Sequence, residues 1–441
     1  MNGNKILRWS IVIALGGFLF GFDTAVISGA EQYIQRYWSL NAFQHGLTIS
    51  IALIGTIIGS LGGAYPSDAL GRKTTLYLVA ALYLVSALGC ALSTNWYLFL
   101  AFRLMGGLGV GASSVTAPVY ISEIAPAAKR GRLVALFQFN VVFGILVSYL
   151  SNYLIASLAG ESWRLMLGIQ AVPSLVFLLL LFRVPESPRW LILYRNRVQQ
   201  ARHILNTIDA STAEAIVQNI VQAATEKQMG KKPRLFNASN KVPIVLAVMF
   251  AVFNQVSGIN AIIYYAPRIF EMTGLGASSS LLSTVGLGVI NFIFTLLALN
   301  LIDRFGRRTL MLIGSFGLIV TLALVSWCFY SGSGGITVAV FLFIYIAFFA
   351  FSQGAVIWVF ISEIFPSSVR AKGQTLGSTT HWLMAAIIAF AFPYVAERAG
   401  GGTTFLFFAV MMIAQLLFVW RVMPETKGRP LEQLEHQLIL H

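Results

Sequence analysis

The sequence predicts an all-α membrane protein in which twelve transmembrane helices form two six-helix bundles, with a helical insert between the bundles. Its 441 residues are 57% hydrophobic and 10% charged, whereas soluble proteins are about 25% charged. Apolar stretches of about 20 residues, enough to cross a hydrocarbon core of about 30 Å as a helix, recur along the whole chain. Three polar motifs also occur twice each, at a nearly constant spacing.

Twelve apolar stretches qualify as transmembrane spans, numbered here from 1 to 12. They cover residues 10–30, 47–67, 74–93, 97–121, 133–157, 164–182, 242–268, 279–301, 309–330, 336–361, 371–394 and 403–423. Span 1 follows Lys5 and Arg8, as the core of a signal peptide would. It is longer than such a core and carries Asp23, so we predict that it is an uncleaved first span.

The polar motifs divide the chain into two similar halves. They are "SDALGRKTTL" (67–76) with "IDRFGRRTLM" (302–311), "YISEIAPAAKRGR" (120–132) with "FISEIFPSSVRAKG" (360–373), and "VPESPRWL" (184–191) with "MPETKGRPL" (423–431). A nearly constant spacing predicts two halves in the same orientation, as in transporters whose substrate site lies between the repeats near mid-membrane. We predict bundles at 1–184 and 242–424, an intracellular helical domain at 185–241 and a cytoplasmic tail at 425–441.

The net charge of +14 is explained by topology. Of the 30 lysines and arginines, 25 lie in the two tails and in the segments after spans 2, 4, 6, 8 and 10. This placement predicts that both termini and those segments are cytoplasmic, and it argues against nucleic acid as a partner. The insert between the halves carries apolar residues at helical spacing, among them Ile204, Leu205 and Ile208, which predicts short amphipathic helices.

The repeated motifs place opposite charges at helix ends on the cytoplasmic side. The charged residues are Asp68, Arg72, Glu123, Arg130, Glu186 and Arg189 in the first half, and Asp303, Arg304, Arg307, Arg308, Glu363, Arg370 and Glu425 in the second. We predict that they form a cytoplasmic gate of ion pairs that hold when this side is shut and break when it opens. The alternative is that they only anchor helix ends and set topology.

Six motifs together resemble the sugar porter family of the major facilitator superfamily, and the resemblance covers nearly the whole chain. They are "GFDTAVISG", "DRFGRR", "PESPRWL", "NQVSGINAIIYY", "ISEIFP" and "PETKG". The resemblance implies the major facilitator fold, an intracellular helical domain and monosaccharide transport by alternating access.

Asp23 and Arg103 are predicted to form an ion pair within the membrane. Span 1 runs outward and span 4 inward, so both residues lie roughly 10 Å below the outer edge, and pairing offsets part of the cost of burying each charge. Arg103 favours the ionised carboxylate, whereas burial favours the protonated acid. A conformational change that alters this balance would let Asp23 take up or release a proton. Proton-coupled sugar porters resemble this chain in having such a pair, and passive members commonly carry an uncharged residue at the aspartate position; the alternative is a purely structural ion pair.

The candidate sugar site consists of amides and aromatic rings. A sugar needs groups that bond its hydroxyls bidentately and a ring that stacks on its apolar face. By motif, the residues that look like the family's sugar contacts are Gln138, Gln255, Asn260, Tyr264, Asn291, Trp358 and Trp382, with Asn254 and His381 beside them. Gln255 and Asn260 would lie about 140° apart on an ideal helix. Gly258 and Pro267 therefore indicate a broken helix, which suits a midplane site.

Three departures from the family's pattern bear on the choice of sugar. Asn254 stands where many members have a glutamine, and Ala350 where facilitative glucose transporters have a glutamate. His381 replaces a frequent asparagine or glutamine. It has three alternative roles, which are bonding a sugar hydroxyl, titrating near neutral pH and bonding a neighbouring helix.

The function expected from the sequence is import of a monosaccharide, with a hexose such as glucose as substrate, together with a proton. The alternatives are a passive sugar facilitator of the same fold and, less favoured, a sugar sensor. The chain shows no constellation of catalytic or metal-ligating residues, so we expect neither an enzyme nor a cofactor other than the proton. The expected partners are the sugar, protons and the lipid bilayer, with a monomer as the functional unit in a bacterial inner membrane.

Overall fold

The structure is a computed structural model that describes residues 3–126, 129–160, 162–229, 235–237, 240–366 and 369–427. Within these residues it contains eighteen α-helices and no β-strand. The helices before the insert are α1 (Gly3–Tyr37), α2 (Ala42–Gly62), α3 (Ala64–Leu70), α4 (Arg72–Leu92), α5 (Trp96–Ile124), α6 (Arg130–Ala159), α7 (Trp163–Gly168) and α8 (Ala171–Leu180), which a short 3₁₀ turn at Leu181–Arg183 follows.

The insert and the second half supply the remaining helices. They are α9 (Pro188–Arg195), α10 (Val198–Asp209), α11 (Ala213–Met229), α12 (Lys241–Val256), α13 (Ile259–Met272), α14 (Ala277–Phe305), α15 (Arg307–Ser331), α16 (Ile336–Phe351), α17 (Gln353–Glu363) and α18 (Arg370–Val422). Eleven helical stretches of the described chain are long and apolar enough to cross a membrane. The last of them, α18, contains predicted spans 11 and 12, and its backbone is non-helical at Gly400 (φ 77°). The predicted fold class is confirmed.

Two spans are broken by single residues of unusual backbone geometry. Span 7 is divided into α12 and α13 at Gly258, which adopts a left-handed conformation (φ 87°). This break agrees with the one that the glycine and the amide spacing predicted. Span 10 is divided into α16 and α17 at Ser352 (φ −106°, ψ −95°), a break that the sequence did not indicate. Both breaks place backbone groups in the middle of a span, as is typical of transporters.

Glycines let α1 and α6 approach closely. A Cβ atom on Gly17 would lie 2.6 Å from the carbonyl oxygen of Phe137. Gly144 of α6 faces the backbone of Phe18 in the same way, so a side chain on either helix would push the two apart. Close backbone approach through small residues is the usual way in which membrane helices pack, because lipid supplies no hydrophobic driving force between them.

The insert folds as the amphipathic helices that the sequence predicted. Helix α9 begins at Pro188, and the side chain of Ser187 caps it by accepting a hydrogen bond from the Trp190 N–H at 3.1 Å. In α10 the apolar residues Ile204, Leu205 and Ile208 are buried. These residues lie on one face of the helix, which explains why the segment folds against neighbouring helices.

Contacts between Cα atoms divide the chain into two compact units. Unit 1 comprises Met1–Thr24, Ile54–Ile145 and Leu167–Lys232, and unit 2 comprises Ala25–Leu53, Leu146–Met166 and Pro233–His441. Helices α1, α2, α6 and α7 contribute to both units. The core of unit 2 includes Phe250, whose ring packs edge-on against Phe360 at 5.0 Å between centroids. The predicted bundle, insert and tail boundaries stay a prediction.

Candidate functional site

Asp23 and Arg103 form a buried ion pair in unit 1. Arg103 Nη1 donates to Asp23 Oδ1 at 3.2 Å, and both side chains are only 2% exposed. Among the described residues, Arg103 Nε has no hydrogen-bond partner. The matched depths of the two residues in the sequence predicted this contact.

Four side chains of unit 2 form an amide cluster, defined as Asn254, Gln255, Asn260 and His381. Gln255 Nε2 donates to Asn254 Oδ1 at 2.8 Å and lies 3.2 Å from His381 Nδ1, and Asn260 Nδ2 donates to Gln255 Oε1 at 2.7 Å. The break at Gly258 brings Gln255 and Asn260 together, although a continuous helix would turn them apart. All four side chains are at most 9% exposed.

Two indole rings stand beside the amide cluster. The Trp358 and Trp382 rings each lie 4.8 Å from the His381 ring, both edge-on. Trp382 is buried, whereas Trp358 is 36% exposed. The combination of amide donors, amide acceptors and an accessible aromatic face can bind a molecule that presents hydroxyl groups around a ring with apolar faces.

The other three predicted sugar contacts lie on separate helices. Tyr264 is buried in α13. Asn291 in α14 is half-buried, and its Oδ1 accepts a hydrogen bond from Thr295 Oγ1 at 3.5 Å. Gln138 in α6 belongs to unit 1 and its side chain is exposed. A role for each of them in binding sugar remains a prediction.

The charged motif residues of unit 1 form a saturated network around Arg72. Arg72 Nε donates to Glu123 Oε2 at 2.9 Å, and Arg72 Nη1 donates to Asp68 Oδ1 at 2.9 Å. Ser187 Oγ donates to Glu123 Oε2 at 2.6 Å. Glu186 accepts hydrogen bonds from the backbone N–H groups of Arg72 and Lys73, both at 3.1 Å, and therefore caps the first turn of α4.

Unit 2 repeats this network around Arg307. Arg307 Nη2 donates to Glu363 Oε1 at 2.9 Å, and Thr426 Oγ1 donates to Glu363 Oε2 at 2.6 Å. Glu425 accepts from the backbone N–H groups of Arg307 at 2.9 Å and Arg308 at 3.0 Å, so it caps α15. The sequence motifs indicated ion pairs, but they did not reveal these two backbone caps or the roles of Ser187 and Thr426.

A glycine precedes each capped helix because the carboxylate needs the space. Gly71 and Gly306 have φ angles of 105° and 88°, which favour glycine. A Cβ on Gly306 would lie 2.6 Å from Glu425 Oε2, and one on Gly71 would meet the Glu186 carboxylate in the same way. Burial raises the pKa of Glu186, and hydrogen bonds from the backbone N–H groups of Ser187, Lys73 and Arg72 oppose that rise.

The remaining members of the predicted gate lie near these networks. Arg130 donates to the Ser122 carbonyl, Arg370 to the Phe365 carbonyl and Arg308 to the Trp420 carbonyl, while Arg189 and Arg304 are exposed. The side chain of Asp303 lies outside the described residues. The ion pairs described above each join residues of one repeat, so the gating role of these motifs remains a prediction.

The sequence did not indicate a second buried charge cluster, which lies in unit 2 and is defined as Glu31, Gln35, His45 and Arg268. It is called the opposite-side cluster, because it lies at the ends of the spans away from the arginine-rich motifs. Arg268 Nε donates to Glu31 Oε1 at 3.0 Å and Arg268 Nη2 to Glu31 Oε2 at 2.9 Å. Arg268 Nη2 also donates to Gln35 Oε1. His45 Nε2 lies 2.7 Å from Glu31 Oε2, and the side chains of both residues are completely buried.

The reason for this omission is the length of the helices. The apolar stretches of spans 1 and 7 end at residues 30 and 268, and that of span 2 begins at residue 47. The hydropathy pattern therefore predicts that Glu31, His45 and Arg268 lie at the water interface. In the structure, α1 continues to Tyr37 and α13 to Met272, and the additional turns bury Glu31 and most of Arg268. The cluster is therefore buried where the hydropathy pattern predicts the ends of the spans.

Comparison with known proteins identifies relatives over the whole chain. The family model described as "Sugar (and other) transporter" matches residues 9–438. The D-xylose-proton symporter of Escherichia coli strain K12 is 36% identical over 475 residues, with 98% of this chain and 96% of the symporter covered. The glucose transporter GlcP of Staphylococcus epidermidis is 36% identical, with 99% and 98% covered, and the arabinose-proton symporter of Bacillus subtilis is 38% identical, with 98% and 94% covered.

Solved structures give the same result. The inward open conformation of the xylose transporter XylE from E. coli superposes with a TM-score of 0.87 at 35% identity, over 98% of this chain and 99% of that chain. The proton:xylose symporter XylE bound to 6-bromo-6-deoxy-D-glucose superposes with a TM-score of 0.80, also at 35% identity, over 99% and 100%.

Proposed function

Because the chain belongs to the sugar porter family of the major facilitator superfamily, we propose that it carries a monosaccharide into the cell together with a proton. Two of the relatives described above are named as proton symporters of a pentose. Another is named as a glucose transporter. The family consists of transporters, so the reaction is movement of a substrate across a membrane and needs no cofactor other than the proton.

The observation that carries the proposal is the buried contact between Asp23 and Arg103. One hydrogen bond of 3.2 Å joins them, and Arg103 keeps a donor without a described partner. A conformational change that moves Arg103 away would leave the carboxylate without its ionic partner, and a buried carboxylate without such a partner favours the neutral acid. Alternating access would expose Asp23 to the proton-rich side and then to the cytoplasm, so that the carboxyl group carries one proton in each cycle.

The sugar would bind at the amide cluster and stack on the adjacent indoles. Gln255 and Asn260 together offer donors and acceptors at a spacing that fits neighbouring hydroxyl groups. Trp358 is the ring with an accessible surface. Gln138, Tyr264 and Asn291 are proposed as further contacts. A hexose such as glucose is the proposed substrate, and the xylose and arabinose relatives make a pentose the alternative.

The orientation follows from the basic residues. The arginine-rich motif segments would face the cytoplasm of a bacterium, with the protein in the inner membrane as a monomer. The networks around Arg72 and Arg307 would then lie at the cytoplasmic gate. Their exchange of partners between the closed and open states would accompany transport.

The test is uptake into proteoliposomes with and without an inward proton gradient. We expect wild type to accumulate labelled D-glucose above equilibrium, and Asp23→Asn to lose accumulation while it still exchanges sugar across the membrane. Glu214→Gln is the matched control, because it makes the same chemical change at an exposed carboxylate in the insert. Competition by unlabelled D-glucose, D-xylose and L-arabinose identifies the sugar.

Each outcome separates the candidates. Gradient-driven accumulation that depends on Asp23 supports symport. Equilibration that ignores both the gradient and Asp23→Asn would make the protein a passive facilitator in which Asp23 only neutralises Arg103. If the protein binds sugar but transports none of the three sugars, it would be a sensor.

A further inference from the structure

The opposite-side cluster contains one carboxylate and two groups that can be cationic. Glu31 Oε2 receives Arg268 Nη2 at 2.9 Å and His45 Nε2 at 2.7 Å. With a neutral imidazole, Glu31 and Arg268 balance each other. Among the described residues, neither ring nitrogen of His45 meets the geometry of a hydrogen bond, and the 2.7 Å contact of Nε2 with Glu31 is the close polar contact of the ring. Nδ1 is therefore available for a second proton.

We propose that His45 is a second proton-binding site, which competes with Arg268 for Glu31 and thereby releases the outer side of the transporter for opening. The proposal rests on alternating access as proposed above, but it does not depend on proton coupling at Asp23. It assigns a role to three residues that are not part of the candidate sugar site or of the cytoplasmic networks.

The fold allows Arg268 to leave while His45 and Glu31 stay together. Glu31 and His45 lie on consecutive helices, α1 and α2, which only residues 38–41 separate. Arg268 lies on α13, after the break at Gly258 and close to Tyr265, whose backbone is non-helical (φ −121°, ψ 18°). The part of α13 that follows the kink carries Arg268 and is short. It can therefore move as a rigid unit about the kink and the break.

The cluster adjoins a cavity through which protons can arrive. This cavity of about 550 Å³ is lined by Gln35, Arg268, Glu271 and Glu397, among others. The Arg268 side chain is 22% exposed, whereas the side chains of Glu31 and His45 are completely buried. Movement of α13 would therefore admit water to His45.

The charged and titratable groups around His45 come from each helix packed there. Glu31 faces it from α1, and Arg268 and the Tyr265 ring, 5.9 Å away, face it from α13. Glu271 of α13 and Glu397 of α18 line the cavity beside Arg268. Glu271 moves with Arg268 when α13 moves, so opening must break the contacts of Arg268 with Glu31 and Gln35 and the hydrogen bond of Glu271 with Gln32.

The sign of the pH effect follows from the charge count. A proton on His45 in the closed arrangement adds a second cation to a buried carboxylate that Arg268 already neutralises, and an unbalanced buried charge is unfavourable. When Arg268 leaves, the imidazolium replaces it as the partner of Glu31 and water solvates the site. The open arrangement therefore binds the proton more tightly, so acid outside shifts the equilibrium toward opening.

The experiment measures opening by pulsed electron paramagnetic resonance on the full chain in lipid nanodiscs. Spin labels are attached at Ser39→Cys and Ser278→Cys, two exposed serines at the ends of α1 and α14. The native Cys90 and Cys328 are buried. The background is Asp23→Asn, which removes the proposed coupling site. We expect the ratio of open to closed distances to rise about tenfold between about pH 7.5 and about pH 5.5.

Variants of the opposite-side cluster test whether His45 causes the pH dependence of opening. His45→Gln keeps a hydrogen-bonding group beside Glu31 but cannot titrate, so its ratio should not change with pH. His203→Gln, an exposed histidine in α10, is the matched control and should behave like the background. Arg268→Gln should be open at every pH. An unchanged pH response in His45→Gln, or no response in the Asp23→Asn background, overturns the proposal, whereas failure of symport alone would appear only in the uptake assay.

Discussion

Helix α1 carries two buried carboxylates eight residues apart, and the structure holds them in different ways. Among the hydrogen bonds of the described residues, Asp23 takes part in one through its side chain, from Arg103 at 3.2 Å. Glu31 receives two hydrogen bonds from Arg268 and lies 2.7 Å from His45. Both carboxylates are at most 2% exposed. Burial is thus the same for the two, and the carboxylates differ in the number of their hydrogen-bonding and ionic partners.

The largest difference should appear when each arginine is removed. Arg103→Gln deprives Asp23 of its ionic partner, and breaking a buried pair in this way costs about 3–5 kcal/mol of folding free energy. Arg268→Gln leaves Glu31 beside His45, so we expect about 1–3 kcal/mol. Unfolding in detergent, followed by circular dichroism, measures both values.

A double variant provides the control for this comparison. Asp23→Asn combined with Arg103→Gln removes both charges, so it should recover much of the stability lost in Arg103→Gln alone. Equal losses for Arg103→Gln and Arg268→Gln would mean that the number of partners does not distinguish the two carboxylates.

A smaller difference is expected in transport. Glu31→Gln should keep the accumulation of sugar, because it leaves Asp23 and Arg103 intact. It should weaken the hold of Arg268 and populate the outward-open state, which lowers the KM for external sugar by about threefold. Initial rates at several sugar concentrations measure this change. Loss of accumulation in Glu31→Gln would instead make Glu31 a second obligatory proton carrier.

The smallest effect is expected at an exposed ion pair. Arg202 Nε lies 2.8 Å from Glu214 Oε2, but the two side chains are 33% and 56% exposed. Arg202→Gln should therefore cost only about 0.2–1 kcal/mol and should lose even that at high salt. Unfolding in low and high salt measures this loss of folding free energy. A loss as large as that of Arg268→Gln would show that burial does not determine the strength of these ion pairs.

Sequence reasoning identified one carboxylate of α1 and missed the other for a physical reason. Asp23 stands alone within an apolar run, and Arg103 lies at the same depth, so their pairing could be predicted. Glu31, His45 and Arg268 lie where hydropathy falls, and hydropathy does not report how far a helix continues into protein contacts. The caps of α4 and α15 were not predicted for another reason. Glu186 lies 114 residues after Arg72, and no local sequence pattern links the two residues.

The twelve spans, the repeat and the helical insert could all be predicted, because they depend on apolar length and on spacing. The break at Gly258 was foreseen from the positions of Gln255 and Asn260, whereas the break at Ser352 was not. The residue at that position is a serine and not a glycine or a proline, and the nearest glycine, Gly354, lies within α17. Its backbone geometry depends on neighbouring helices, which a sequence pattern does not contain.

The twin carboxylate caps have a consequence for engineering. Glu186 closes the start of α4 and Glu425 the start of α15, so each repeat supplies its own cap, its own glycine and its own hydroxyl donor. In each repeat, the capping carboxylate, the glycine and the hydroxyl donor all come from that repeat. A gene divided between the codons for α11 and α12 should therefore yield two fragments that fold side by side and reassemble into a working carrier when they are co-expressed.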